Sequence, residues 1–395
     1  MSNRVRIVLI IVIMAIVIGA SYWYMQETTG KVEEVVEQKW RLHDHLLDVS
    51  FSEDTYGRLG NRPAGDISLS GEASGWSVGQ YGTILRSEDG GKSWAYQRSN
   101  TNRDLMGIFA LSSVKGCAVG SAGTIILTQD GGANWKNVES GVACQYNDVT
   151  FISPKEGFIV GEFEIILHTS DGGANWELIH GGEPEEIDFS KIEEGEILAE
   201  DFGMEEEVYT LKSIYFLDSQ LGWAAGEYGI LLKTIDGGKS WLKQNSGTEN
   251  SLTGIEFLNA ELGFAVGLDG TIVKSTDGGI SWSKDKPTVK THYYDLAFKR
   301  FGASTTRNDA VAVGQGIIAS YSYFKKTYLQ NWVPALEMNY NIDYSWINSI
   351  TFISKTGERA IAVGEHGLIL WTDNGGDEWD IVRYPEKNVE LVLAP

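Results

Sequence analysis

One eight-residue phrase recurs six times in this chain, and it limits the possible folds more than any other feature. It first reads Ser87-Glu88-Asp89-Gly90-Gly91-Lys92-Ser93-Trp94, then returns at 128–135, 169–176, 234–241, 275–282 and 372–379. The form is [ST]-x-[DN]-x-G-x-x-W, an Asp-box. Its acidic position holds Asp89, Asp130, Asp171, Asp236 and Asp277, with Asn374 in the last copy. The box closes on Trp94, Trp135, Trp176, Trp241, Trp282 and Trp379. A short carboxylate can accept hydrogen bonds from the N–H groups of its own turn, and paired glycines permit backbone angles closed to other residues. The Trp begins an outer strand and supplies a large apolar surface to insert between neighbouring units. These are structural roles, and Asn374 can still accept the same bonds.

Around each box the chain repeats a longer unit. The best-formed copy runs Ser213-Ile214-Tyr215-Phe216, Gly222-Trp223-Ala224-Ala225-Gly226, Ile230 to Thr234, the box, and Trp241-Leu242-Lys243. That is four short strands separated by Gly-centred turns. The glycine closing the second strand marks the register at Gly79, Gly120, Gly161, Gly226, Gly267, Gly314 and Gly364. Seven four-stranded units that cannot bury their faces alone predict an all-β chain closed as a seven-bladed β-propeller. The first unit is expected to start at Leu47-Asp48-Val49-Ser50-Phe51, with Ile67-Ser68-Leu69 as the competing start. Either Trp40-Arg41-Leu42 or Val389 to Leu393 is expected to add a strand that helps close the ring.

Two units depart from the pattern. Residues 183–207, between blades 3 and 4, hold twelve acidic residues and one lysine, half of the chain's net charge of -22. The sixth unit lacks a box and offers Ser320-Tyr321-Ser322-Tyr323-Phe324 in its place. Its surroundings are basic, with eight Lys/Arg against three Asp from Lys284 to Lys326.

Residues 7–25 carry no charge and would span roughly 28 Å as a helix, about the thickness of a bilayer's hydrocarbon core. Arg4 and Arg6 precede the run, so the positive-inside bias places residues 1–6 in the cytoplasm. The chain then reads as a transmembrane anchor, a stalk over 26–40, and a propeller over 41–395 on the periplasmic, lumenal or extracellular side. An uncleaved anchor is favoured over a signal peptide. The negative charge argues against nucleic acid as a partner. Cys117 and Cys144 are too few for a disulfide framework; Cys117 reads as a small buried apolar residue, and a bridge between the two stays possible.

Strand direction sorts the loops. The Asp-boxes and the loops between strands one and two share one face; the two-to-three turns and the links between blades share the other. The second face carries Tyr81, Glu162, Phe163, Glu227, Tyr228, Glu365 and His366 on turns, and Tyr293 and Trp346 on links. Aromatics ringed by charge are what a protein-binding surface tends to present, so these nine residues are the expected partner site. No catalytic residue, metal site or cofactor is expected, since the six histidines are scattered and no phosphate-cradling loop or nucleophile elbow is present.

Seven units of this form, opened by Leu46-Leu47-Asp48-Val49-Ser50-Phe51, resemble the photosystem II stability/assembly factor family and related bacterial Asp-box (BNR-like) propellers. The resemblance covers roughly residues 40–380. It implies a non-enzymatic factor that holds a membrane-protein partner on the lumenal or periplasmic side. The family's arginine-rich patch on the turn face is not matched here, where Glu162, Glu227 and Glu365 stand. Asp-boxes also mark sialidases, and a glycan-binding or glycoside-hydrolase propeller, using a carboxylate pair drawn from Glu162, Glu164, Glu227 and Asp269, is the alternative. An accessory subunit of a membrane transporter is a second one.

Overall fold

The computed structural model describes residues 45–52, 73–182, 209–287, 289–299, 309–321, 346–354 and 357–382, and the backbone of Trp332–Glu337. Segments 1–44, 53–72, 183–208 and 383–395 lie outside the described residues, and with them the expected anchor, the stalk, the acidic insert and both candidate closing strands. Among the described residues no helix is long and apolar enough to cross a membrane.

Each repeat opens with a six-residue strand, from Leu46–Phe51 in blade 1 to Ile347–Phe352 in blade 7. A simple strand would bury alternate residues, yet here positions one, four and six carry the apolar side chains. The reason is an irregularity in the pairing with strand two near position one or two of every copy, as between Leu46 and Asp48 or Leu252 and Gly254. Such a bulge shifts the alternation by one residue and re-aims the side chain that follows it. Leu46, Val49 and Phe51 thereby pack between blades, and Asp48 and Ser50 are turned onto the central shaft.

Strand two is buried at all five positions in every blade, as expected for a strand covered on both faces. Its closing glycine has a concrete cause. A Cβ on Gly79 would lie 2.0 Å from the His45 carbonyl oxygen, and one on Gly120 would lie 1.9 Å from that of Asp104. The chain entering each blade passes too close for any side chain.

The strands form seven antiparallel sheets of four, each built from one consecutive segment of chain. Blade 1 begins at Leu46, at the expected start. Blades 1 and 7 both contain four strands of their own, so the ring closes among the described residues without strand exchange. Asn348 Nδ2 donates to the Leu46 carbonyl at 2.8 Å, and Trp371 Nε1 donates to that of Gly90 at 3.1 Å. Ile353, Ile361 and Val363 of blade 7 share a core with Leu46, Phe51 and Trp94 of blade 1.

The Asp-box turn is a hydrogen-bond relay. In blade 3 the Thr169 hydroxyl accepts the Gly173 N–H at 3.0 Å and donates to Asp171 Oδ1 at 2.9 Å. Asp171 also accepts the N–H groups of Ala174 and Asn175 and the Asn175 amide. The Asn175 side chain is the chief cause that holds this carboxyl down at about 2, from an ordinary 3.8. The Ser240 and Ser281 side chains do the same for Asp236 and Asp277, also held at about 2. Asn374 keeps the turn as expected, accepting from Thr372 Oγ1 and the Glu378 N–H. Each box is also tied to the one-to-two loop of its own blade, as by Gly131 N–H to the Val114 carbonyl, which fixes the shared face.

Blade 6 keeps its four strands without a box. Tyr321 stands where the other blades place the Ser or Thr of the box, is fully buried, and meets Phe264 of blade 5 edge-on at 4.9 Å. Trp135 makes the same kind of contact with Trp76 at 6.0 Å. Tyr321 thus fills a blade junction that a box Trp fills elsewhere.

Two outcomes follow. Tyr321→Ala lowers the unfolding free energy by about 3–5 kcal/mol in a denaturant titration, the range for emptying a buried aromatic site. The stabilisation from Asp171, whose folded pKa is depressed, is complete above its ordinary 3.8 and lost as pH falls through about 2. Asp171→Asn keeps the turn and removes that part of the acid sensitivity, measured as the unfolding midpoint between pH 4 and 2.

Candidate functional site

The two-to-three turns hold their middle residue in a conformation that side chains rarely adopt. Tyr81, Ala122, Phe163, Tyr228, Asp269 and His366 have φ between 51° and 59°. The left-handed region costs an L-residue roughly 1–2 kcal/mol, and for a bulky residue it is a genuine outlier. Four of these six positions nonetheless carry an aromatic ring. Tyr228 is 66% exposed and Tyr81 is 60% exposed, so burial does not repay the strain there.

The aromatic residues gather in two places on this face. Tyr228 lies 5.0 Å from Tyr209, over which the Lys243 ammonium sits at 5.4 Å. Phe163 is close by in the chain's hydrogen bonding, because the adjoining Glu164 N–H donates to the Tyr209 carbonyl. At the other place Trp346, 40% exposed, lies 5.8 Å from Tyr294. His366 meets His45 at 5.2 Å across the junction of blades 7 and 1.

The carboxylates have other work. Glu162 Oε2 accepts the Gln145 N–H at 2.8 Å, and Glu365 Oε2 accepts the Trp346 N–H at 3.3 Å. Glu365 Oε1 also faces His45 Nδ1 at 3.3 Å. Glu227 sits 3.1 Å from the Lys212 ammonium. Burial works to raise its carboxyl, but bonds to Lys212 and Thr210 outweigh that and hold it below its usual value. Asp104 accepts the Tyr81 N–H at 2.8 Å. These acids latch the link of a blade to a turn, which accounts for their place in the repeat without any partner.

Tyr293 corrects the expected site. It occupies the first position of its inner strand, where blade 1 has Leu46; its ring is 0% exposed and its hydroxyl donates to the Val289 carbonyl. Burial pushes its phenol up to about 12. Its neighbour Tyr294 takes the outward position instead. Cys117 and Cys144 are thiols without a disulfide between them, buried in one core, as read for Cys117; burial pushes the Cys117 thiol up.

A second constellation went unread in the sequence. Asp48, Asp148 and Asp295 share one strand position and border a cavity of about 90 Å³ in the central shaft. Each reaches over a blade junction. Asp48 Oδ2 accepts the Ile108 N–H at 2.8 Å, Asp148 Oδ2 that of Ile214 at 2.9 Å, and Asp295 Oδ2 that of Ile350 at 3.0 Å. In the receiving blade the same position holds Gly107, Ser213 or Ser349, which leave room for the crossing carboxyl. Glu256 makes a fourth crossing, to the Phe298 N–H at 3.2 Å. The available signal was an Asp three residues before each of Phe51, Phe151 and Phe298. Among the described residues no group of His, Cys, Asp and Glu is arranged to hold a metal ion.

Comparison with known proteins agrees with this architecture. Residues 60–139 and 100–200 match the family model described as "Photosynthesis system II assembly factor YCF48", and residues 273–284 match the BNR/Asp-box repeat. The chain is similar to that family. The resemblance carried by the repeats is thereby upheld. A search among curated proteins gives no match. Among solved structures, "YCF48 bound to D1 peptide" superposes with a TM-score of 0.58 at 17% identity, over 84% of this chain and 93% of that one. YCF48 from Cyanidioschyzon merolae gives 0.58 at 18% identity, over 84% and 96%. The WD40 propeller domain of Doa1 gives 0.54 at 11%, over 83% and 92%.

Because the Tyr81 ring is mostly exposed and gains little from burial, while its backbone is left-handed, Tyr81→Gly raises the unfolding free energy by about 0.5–1 kcal/mol. A urea titration checks this; a fall of the same size shows that the ring makes stabilising contacts within the fold.

Proposed function

We propose that this chain is a non-enzymatic scaffold that holds a membrane protein against the turn-and-link face of its propeller, tethered outside the cytoplasm by a helix at residues 7–25. The observation that carries the reading is the strained, exposed placement of Tyr81 and Tyr228 on that face. A fold keeps a costly exposed ring where the ring does something outside the fold, and backbone strain of this kind clusters at functional sites. Large, stiff aromatic side chains also dominate the energetics of protein interfaces.

The carboxylates favour binding over catalysis. Glu162, Glu227 and Glu365 are taken up by backbone N–H groups or by Lys212, and Glu227 is held ionised rather than poised as an acid. Similarity to a propeller captured with a D1 peptide supports a membrane-protein segment as the partner class. The surface that meets it here is aromatic and not arginine-rich, so the contact is expected to rest on apolar packing and to change little with salt.

Photo-crosslinking in intact membranes tests this. A crosslinker replacing Tyr228 or Trp346 is expected to capture one integral membrane protein, while the same probe at Glu88 on the Asp-box face captures none. Tyr81→Ala combined with Tyr228→Ala should reduce co-purification of that protein at least tenfold without unfolding the propeller. Equal capture from both faces, or co-purification that survives the double substitution, removes the reading.

A further inference from the structure

Ser349 of blade 7 stands between two carboxyls of the shaft. Its Oγ lies 2.8 Å from Asp48 Oδ1 of blade 1 and 3.1 Å from Asp295 Oδ2 of blade 6. A hydroxyl carries a single hydrogen. Both contacts are therefore full two-centre hydrogen bonds only when one of the two carboxyls also carries a proton and donates it to Ser349 Oγ. With both carboxyls ionised, the two contacts have one hydrogen to share between them.

We propose that the shaft is a proton-responsive lock, in which a dissociable proton on the Asp48–Ser349–Asp295 chain fastens blades 6, 7 and 1 to one another. The place matters because blades 7 and 1 are where the ring closes. Among the described residues no strand crosses that junction, so side-chain bonds and packing hold it. Asn348, next to Ser349, makes the bond to Leu46 on the same strand. Asp295 ties blade 6 to the Ile350 N–H one residue further on.

Among the described residues the groups lining the shaft are all acids or neutral. The shaft takes Asp48 and Ser50 from blade 1, Phe109 from blade 2, Asp148 and Thr150 from blade 3, and Ser213 and Tyr215 from blade 4. Glu256 enters from blade 5, Asp295 from blade 6, and Ser349 and Thr351 from blade 7. The described lining includes no lysine, arginine or histidine. The carboxyls keep some accessible surface because they border the cavity. Burial is the main cause that pushes Asp295 up to about 7 and Asp148 up to about 8. The charge on Asp48 adds to both, while the N–H groups of Ile350 and Ile214 pull the other way and lose.

The direction follows from linkage. Folded pKa values raised above 3.8 give stabilisation that is complete below about 4. It is lost as pH climbs to about 7 for Asp295 and about 8 for Asp148. The lock is fastened in acid and loosened towards alkaline pH, a window separate from the acid loss of the Asp-box carboxylates.

Thermal unfolding of the full-length protein between pH 5 and pH 9 reads the effect. The midpoint is expected to fall by on the order of 5 °C over that interval, and Asp295→Asn, which cannot ionise, to flatten the fall. Asp171→Asn on the outer face should leave the slope as it is. A midpoint independent of pH, or a fall as steep in Asp295→Asn as in the wild type, overturns the proposal. If Asp295→Asn does not fold, a carbon-13 titration of the wild-type aspartate carboxyls decides. The Asp295 or Asp48 carboxyl titrating above pH 6 supports the lock, and neither doing so sinks it, whatever Asp148 does.

Discussion

The structure depends on sheets packing face to face around a ring. A four-stranded sheet whose second strand is buried at every position has no stable existence alone, since both of its faces are apolar. Each blade becomes stable only when a neighbour covers it, so every junction has to be filled by side chains of matching bulk. Phe257 stacked on Trp223 and Trp135 edge-on to Trp76 are two ways of filling it. Blade 6 shows that bulk is the requirement and the Asp-box only a common means. Tyr321 closes the junction from a different position, and the blade persists.

That constraint divides labour between the two faces and the shaft. The Asp-box face is occupied by relays that saturate their own carboxylates, which leaves little chemistry to offer a partner. The turn face carries acids that latch links to turns and, beside them, rings held out in a costly backbone conformation. The shaft carries carboxyls that reach from one blade to the next. Acidic residues of similar appearance in the sequence therefore do three different jobs, decided by which N–H groups lie within reach.

Much of this was legible in the chain. The repeat length, the turn glycines and the box motif fixed the blade count, the strand order and the sorting of loops onto faces. Tyr81, Tyr228 and Trp346 were placed on the turn face and are exposed there. Tyr293 was misplaced because a bulge near the start of the inner strand moves the alternation by one residue, and no local pattern announces it. The same bulge hid the shaft carboxyls, since Asp48 and Asp148 read as ordinary polar positions of a half-buried strand.

By itself the sequence determined the local structure. A short hydroxyl, a carboxylate and two glycines make a turn wherever they occur, because all of their bonds close within eight residues. Seven copies of a strand unit then leave a ring as the arrangement that covers every face. Only the tertiary structure decided what meets across the junctions. Asp48, Ser349 and Asp295 lie 301 and 54 residues apart in pairs, yet touch in the shaft. Glu162 and Glu365 became latches only once the entering chain passed against their turns. Those partners come from remote segments, and their distances follow from how seven sheets close a circle rather than from any spacing along the chain.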